Sequence, residues 1–202
     1  MSRPKTITGY AAVFNTEADL GFFREVIAPG AFRAALEQRQ DVRALWNHDT
    51  SKVLARTKNR TLSLAEDAHG LRVAFTPADT QAGRDALTLI ARGDVDQMSF
   101  QFRAVEEEWL DAQGVKPLRR LLRVNLFDVS PVAFAAYPTT TVMLAPEQTP
   151  AEAARNTRRR LAERLWSETM EAAGFRLEDT GRWVNLKTGE VEPMLFDDKP
   201  GA

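Results

Sequence analysis

The sequence predicts an α+β fold in which strands dominate, with at least two helices packed on a sheet or open barrel. Short runs rich in β-branched and aromatic residues, separated by polar turns, fill the first two-thirds of the chain. Two segments of that region have the spacing of apolar residues typical of a helix. A length of 202 residues suits one substantial core together with a tail or a small second unit.

The first elements are two strands followed by a short helix. Residues 7–14 and 22–27 are β-rich runs, and the polar segment 15–21 between them predicts a turn. Pro29 and Gly30 then open a helix over residues 31–38, because apolar residues recur there at helical spacing.

The next elements are again strands. Residues 42–47 predict a buried strand that carries His48 at its end, and we expect that residue to be held on an ordered strand. Segments 53–55 and 61–64 continue the pattern. The polar Ala68-His69-Gly70 turn leads into a strand over 71–75.

A second helix is predicted over residues 81–92. Thr80 can cap its first turn, and Gly93 can end it. Four apolar residues at helical spacing predict its buried face: Ala86, Leu87, Leu89 and Ile90. Residues 98–106 and 117–128 then alternate as the two strands of a hairpin, with the turn at 111–114.

A change in composition at residues 145–150 predicts a domain boundary. Two prolines in this polar hexapeptide are typical of a linker, so we divide the chain into a domain over 1–145 and a tail over 146–202. The tail begins with a strong helix pattern over 151–174 that includes Arg158, Arg159 and Arg160. This arginine run is either a solvated helix face or a docking surface for an acidic partner. Residues 175–195 hold two short β-like runs around Thr188-Gly189.

Composition excludes several function classes. The 27 basic and 28 acidic residues give a net charge of −1, which argues against binding of nucleic acid by bulk attraction. The chain has no cysteine, hence no disulfide, no thiolate nucleophile and no cysteine-bound zinc. Its first residues lack the apolar core of a signal peptide, and no segment is long enough to span a membrane, so we expect a soluble intracellular protein.

Two separated segments indicate nucleophilic chemistry. One of the two histidines, His48, lies in Trp46-Asn47-His48-Asp49, and Ser99 begins an apolar run further along the chain. A serine hydroxyl needs a base before it can attack a carbonyl carbon, and imidazole is the side chain best suited to that task near neutral pH. His48 and Ser99 are therefore the candidate base and nucleophile.

The order of several motifs resembles a known family. Residues 24–32 (REVIAPGAF), the His48 and Ser99 segments, and residues 126–138 (LFDVSPVAFAAYP) are similar to the prohead, or procapsid maturation, proteases of tailed phages with HK97-type capsids. Residues 9–15 also resemble the family's opening strand. The resemblance runs from about Thr8 to about Leu144, in the family's order and at family-like spacing.

The resemblance implies a fold, an activity and a setting. The fold would be that of the herpesvirus assemblins, a strongly bent β-barrel surrounded by helices. The activity would be that of a serine endopeptidase, without cofactor or metal, that cleaves scaffold segments from the major capsid protein precursor and also cleaves itself. It would act inside the assembling procapsid in the host cytoplasm, with possible self-association but no direct nucleic-acid or membrane partner.

The resemblance also implies roles for single residues. Ser99 occupies the family's nucleophile position, and His48 that of the base. Assemblins hold the base with a second histidine, for which His69 is the only candidate, whereas phage members use an acidic residue. Asp128, expected at the end of the strand after the hairpin, is our choice for that residue, and Glu25 is the alternative. Asp49 is a poor candidate, because neighbouring strand residues point to opposite faces.

The sequence departs from the family pattern at one position. Gln101 stands where family members commonly carry glycine, so its side chain would either narrow the cleft or supply a donor. The oxyanion donors are unassigned, with backbone amides near 81–84 as an option by analogy with assemblins.

Two rival functions are open. The His48-Asp49 pair suggests a metal-dependent hydrolase, but two histidines are too few for the set of ligands that such an enzyme needs. The other rival is an inactive assembly or scaffold protein. The presence of both His48 and Ser99 argues against that function.

Overall fold

The computed structural model describes residues 5–111, 114–146, 165–166, 168–177, 183–189 and 191–192. The chain divides into two compact units, residues 1–145 and residues 146–202. The elements of the first unit are, in chain order, β1 (Ile7–Val13), β2 (Ala18–Asp19), β3 (Arg24–Ile27), α1 (Arg33–Glu37), β4 (Arg43–Trp46), β5 (Asp49–Arg56), β6 (Leu62–Glu66), β7 (Gly70–Phe75), α2 (Gln81–Arg92), β8 (Gln97–Leu110), β9 (Leu118–Val132) and β10 (Thr141–Leu144).

Two sheets form the first unit. One has four antiparallel strands in the order β10-β1-β7-β6. The other is built on β9, which pairs with β8 along almost its whole length. The two ends of β9 also pair in parallel, residues 118–121 with β3 and residues 128–129 with β4. This second sheet brings the segments of His48, Ser99 and Asp128 onto neighbouring strands.

One apolar core joins both sheets and both helices. Its members include Phe32, Leu71, Ile90, Met98 and Val129, all of them buried. Full burial of a side chain of this size contributes about 1.5–3 kcal/mol. The core therefore holds β8 and β9 rigidly, which is the support that a site on those strands requires.

The second helix has the bounds and the caps that its sequence predicts. Thr80 Oγ1 accepts a hydrogen bond from the Gly83 amide at 3.2 Å, and Gly93 ends the helix with a φ of 78°. Ala86 and Ile90 are buried on its inner face. The first helix is shorter than predicted, because the Glu66 carboxylate accepts hydrogen bonds from the amides of Gly30 and Phe32 and holds that segment in a turn.

The predicted α+β class is confirmed, and within the described residues the sheets do not close into a complete barrel. The hairpin of β8 and β9 extends further than its predicted bounds of 98–106 and 117–128. Cross-strand ion pairs explain the extension on its exposed part, where Arg119 pairs with Glu107, Arg123 with Glu106 at 3.4 Å and Arg120 with Glu108 at 3.7 Å.

The second unit combines a helix with a small sheet. Residues 165–166 and 168–172 are helical, and strands β11 (Phe175–Leu177), β12 (Trp183–Asn185) and β13 (Val191–Glu192) form an antiparallel sheet in that order. The structure thus has three short strands where two runs were predicted. Residues 151–164 of the predicted helix, with the arginine run at 158–160, lie outside the described residues. Over the described ranges, no helix has the length and apolar character needed to cross a membrane.

Candidate active site

His48 was predicted to lie on an ordered strand, but the structure places it in a tight turn. Asn47 and His48 join β4 to β5 as a two-residue hairpin loop, and both have positive φ, 53° and 59°. Trp46 and Asp49 pair across this loop. Two consecutive positive φ angles match the type I′ turn that two-residue hairpins prefer. The hairpin therefore reverses the chain at His48 and turns the imidazole back over the sheet.

The turn is attached to β9 and to the start of β5. The Asn47 amide donates to the carbonyl of Pro131 at 3.0 Å. The Asp49 carboxylate accepts hydrogen bonds from the amide and hydroxyl of Ser51 and pairs with Lys52 at 2.9 Å. The Ser51 hydroxyl, followed by Lys52, lowers the pKa of Asp49 to about 2. Asp49 is thus engaged within its own hairpin, in agreement with its rejection as the group that holds His48.

His48 and Asp128 are in direct contact. The imidazole Nδ1 lies 2.7 Å from Oδ1 of Asp128. The Asp128 side chain is only 4% exposed, whereas that of His48 is 25% exposed. A carboxylate on Nδ1 favours the tautomer with its proton there and leaves the lone pair on Nε2. Asp128 lies within β9, which continues to Val132, and not at the end of a strand as predicted.

A one-residue β-bulge decides which way Asp128 points. Leu126 pairs with Phe102 and Asp128 with Gln101, so Phe127 is an extra residue on β9. Before the bulge, Leu126 shares the buried face of β8 with Phe102. If Leu126, Phe127 and Asp128 all paired one to one with β8, Asp128 would fall on that same face, because strand side chains alternate. The bulge moves Asp128 to the opposite face, beside Gln101.

Ser99 lies on the face that the bulge gives to Asp128. It pairs directly with Ser130 of β9, and Ser130 is two residues from Asp128. Directly opposed residues in an antiparallel pair have Cβ atoms about 4.5–5.5 Å apart. Within the part of the chain that the structure describes, no hydrogen bond joins Ser99 to His48. A nucleophile and its base commonly form this bond only when substrate is present.

Buried hydrogen bonds position the start of β8, where Ser99 lies. Thr140 is 2% exposed, and its hydroxyl donates to the carbonyl of Met98 at 2.6 Å. The Met98 amide donates to the same hydroxyl at 3.2 Å. One hydroxyl therefore holds both the amide and the carbonyl of Met98, the residue before the half-buried Ser99.

Sequence reasoning did not identify Ser130. Its hydroxyl is completely buried and donates to Oδ1 of Asp128 at 2.7 Å. The signal that could have revealed it is the spacing in Asp128-Val129-Ser130, since residues two apart on a strand share one face.

Glu25 belongs to a different buried cluster. It is 1% exposed, accepts a hydrogen bond from the Tyr137 hydroxyl, and lies 3.1 Å from Nη1 of Arg119. Burial raises the pKa of its carboxyl, and the Tyr137 hydrogen bond and the Arg119 charge oppose this shift. Glu25 is therefore in contact with Tyr137 and Arg119. Among the described residues it makes no contact with His48, which the alternative assignment of Glu25 would require.

His69 is also separate from this site. It is exposed in the turn before β7, and its ring lies edge-on to Tyr10 with the ring centroids 4.5 Å apart. The structure therefore brings together His48 and Asp128, places Ser99 beside them, and leaves His69 with another partner.

The remaining predictions concern the oxyanion site and metals. Thr80 already accepts hydrogen bonds from two of the amides at 81–84, those of Gly83 and Arg84. A cavity of about 460 Å³ lies between β5 and this first turn of α2, with Trp46 and Ala82 in its lining. Among the described residues, no group of three or more His, Cys, Asp or Glu side chains is arranged to hold a metal ion.

Comparison with known proteins gives matches of two kinds, to a sequence family and to solved structures. A sequence profile of the caudovirus prohead serine proteases matches residues 2–155. The solved structure of the varicella-zoster virus protease is similar, with a TM-score of 0.43 and 13% identity over 75% of this chain and 73% of the viral chain. No curated protein sequence was found to match. The profile match includes His48, Ser99 and Asp128.

Proposed function

The chain belongs to the caudovirus prohead serine protease family, and we propose that it is an active serine endopeptidase with Ser99 as nucleophile, His48 as general base and Asp128 as the group that orients the base. The observation that carries the proposal is the 2.7 Å hydrogen bond between His48 Nδ1 and Asp128 Oδ1, on the face of the sheet that also holds Ser99. Nucleophile, base and orienting group are three of the parts that peptide hydrolysis by serine requires.

The proposed reaction proceeds through an acyl-enzyme. His48 Nε2 takes the proton of the Ser99 hydroxyl while Oγ attacks the peptide carbonyl carbon. The resulting imidazolium returns its proton to the amine that leaves, and water then hydrolyses the ester in the same way. Asp128 stabilises the imidazolium in both steps through its bond to Nδ1. Its nearly complete burial strengthens this electrostatic interaction.

The biological role follows from the family. We propose that the substrate is the scaffold segment of the major capsid protein precursor, that the protein also cleaves itself, and that both reactions take place inside the procapsid in the host cytoplasm. The tail over 146–202 would then be a docking or self-cleaved segment, separate from the protease domain over 1–145.

A fluorophosphonate probe tests the chemistry without knowledge of the substrate. An activated serine forms an Oγ–P bond with the probe and displaces fluoride, while the base takes the serine proton. Wild-type protein should be labelled on Ser99, as located by mass spectrometry, and Ser99→Ala should not be labelled. Labelling of the Ser99→Ala variant at the wild-type rate would exclude Ser99 as the nucleophile.

Co-expression with the major capsid protein of the same phage or prophage tests the biological role. Mass spectrometry should detect a new N-terminus on the capsid protein with wild-type protease, and none with Ser99→Ala. Procapsids that assemble and mature equally well with both proteins would instead support an inactive assembly factor.

A further inference from the structure

Ser130 occupies a position that the proposed mechanism does not explain. Its side chain is 0% exposed, and its hydroxyl donates to Oδ1 of Asp128 at 2.7 Å. The same oxygen of Asp128 also forms the hydrogen bond with His48 Nδ1, likewise at 2.7 Å. One carboxylate oxygen thus accepts two short hydrogen bonds, one for each of its lone pairs.

This arrangement restrains a torsion that is otherwise soft. The carboxyl group of an aspartate rotates about χ2 over a broad range, because the barrier at an sp³–sp² bond is low. A single bond from His48 would not fix this rotation, since either carboxylate oxygen can serve as its acceptor. Ser130 is attached to the same strand two residues away, so its bond fixes which oxygen faces His48 and in which direction.

The hydrogen bond from Ser130 also satisfies a buried charged group. The Asp128 side chain is almost completely buried, and a buried carboxylate is unfavourable unless donors satisfy it. Ser130 supplies one such donor to Asp128. Both effects act on Ser99 through Asp128 and His48.

We propose that Ser130 is a positioning residue for the reaction, which holds the Asp128 carboxylate in the rotamer that orients His48. The proposal rests on the proposed function, because it assumes that His48 acts as the base for Ser99. Ser130 does not touch the reacting atoms in this assignment.

The test compares Ser130→Ala, Asp128→Asn and the double variant by the second-order rate of fluorophosphonate labelling. Loss of one hydrogen bond to a charged group should slow labelling of Ser130→Ala roughly ten- to hundredfold. Asp128→Asn should slow it on the order of a thousandfold or more. The double variant should be no more than about threefold slower than Asp128→Asn, because Ser130 acts only through Asp128. Fully additive losses, or an unchanged rate in Ser130→Ala, would overturn the proposal.

Thr57→Val is the matched control for loss of a structural hydroxyl. The Thr57 hydroxyl donates to the carbonyl of Gln40 at 2.9 Å and accepts from the Val42 amide at the same distance, so its loss should lower stability. It has no contact with Asp128 among the described hydrogen bonds, and the labelling rate should stay within about twofold of the wild type. An equal loss of rate in Thr57→Val and Ser130→Ala would reduce Ser130 to a purely structural role.

A second measurement does not depend on activity. The proton on His48 Nδ1 should give a downfield NMR signal in the wild type, and this signal should broaden or move upfield in Ser130→Ala but persist in Thr57→Val. An unchanged signal in Ser130→Ala would contradict the inference even if labelling slowed. Wild-type protein that shows the signal but takes up no probe would contradict the proposed function instead.

Discussion

Ser99 of β8 and Ser130 of β9 lie directly opposite each other, and Ser130 in turn donates to the Asp128 carboxylate that holds His48. This cross-strand pair connects the proposed nucleophile with the buried end of the site. The position of Ser99 relative to Asp128 is consequently set by the register of two long strands. A register shift of one residue would move Ser99 to the other face of the sheet.

The nucleophile and the base should be equally indispensable. We expect Ser99→Ala and His48→Ala each to abolish cleavage of the capsid protein while circular dichroism stays that of the wild type. The double variant should be no worse than either single one, since the two groups act as one unit. Cleavage near the wild-type rate by Ser99→Ala would show that another group is the nucleophile.

Asp128 and Glu25 should differ strongly in their effect on turnover. Asp128→Asn keeps the shape of the side chain but favours the wrong tautomer of His48, so turnover should fall on the order of a thousandfold or more. Glu25→Gln should have a far smaller effect, because the carboxylate of Glu25 contacts Tyr137 and Arg119. The rate of fluorophosphonate labelling measures both. The reverse ranking would transfer the orienting role to Glu25.

Glu25 should instead influence stability as a function of pH. Burial raises the pKa of its carboxyl above the ordinary value of 4.5, so the folded state holds this proton more tightly than the unfolded chain does. Its favourable contribution is therefore complete below about pH 4.5 and is lost as the pH rises through the folded pKa. Denaturant titrations at a series of pH values should show that the free energy of unfolding of Glu25→Gln increases relative to that of the wild type as the pH rises. A difference that is constant with pH would contradict the raised pKa.

The extra residue at Phe127 should be dispensable for the orientation of Asp128. Deletion of Phe127 would make Asp128 the direct neighbour of Leu126, so simple alternation would keep Asp128 on the face opposite Leu126, beside Gln101, and labelling of Ser99 should persist. Phe127→Ala keeps the extra residue, and because the Phe127 side chain is half exposed, labelling should stay close to the wild-type rate. Loss of labelling in a deletion variant that still folds would show that the pairing with β8 does not set the face of Asp128.

The tail should be dispensable for peptide-bond cleavage. The proposed catalytic residues all lie in the unit over 1–145, and the second unit begins at residue 146. A truncation that ends at Ala145 should therefore cleave purified capsid protein in solution but be missing from isolated procapsids. Sedimentation of procapsids and mass spectrometry of the cleaved protein measure the two effects. Unfolding of the truncated protein would mean that the tail belongs to the core.

The sequence by itself determined the fold class, the second helix and the three proposed catalytic residues, but not Ser130. Thr80, Gly93 and the spacing of Ala86 and Ile90 are local signals, and local signals set the bounds of a helix. Two histidines leave few candidates for a base, and the order of the motifs distinguishes His48 from His69.

Only the tertiary structure decided how these residues meet. Alternation alone would put Asp128 on the same face as Leu126, and the bulge that reverses this depends on pairing with β8. The attachment of the His48 turn to Pro131 likewise depends on a strand that is distant in sequence, whereas the positive φ of His48 follows from the pairing of β4 with β5. The contact of Ser130 with Asp128 then follows from the strand geometry of β9. Patterns along the chain report which residues alternate, whereas register is set by partners far away in sequence. The choice between Asp128 and Glu25 as the contact of His48 rested on those partners.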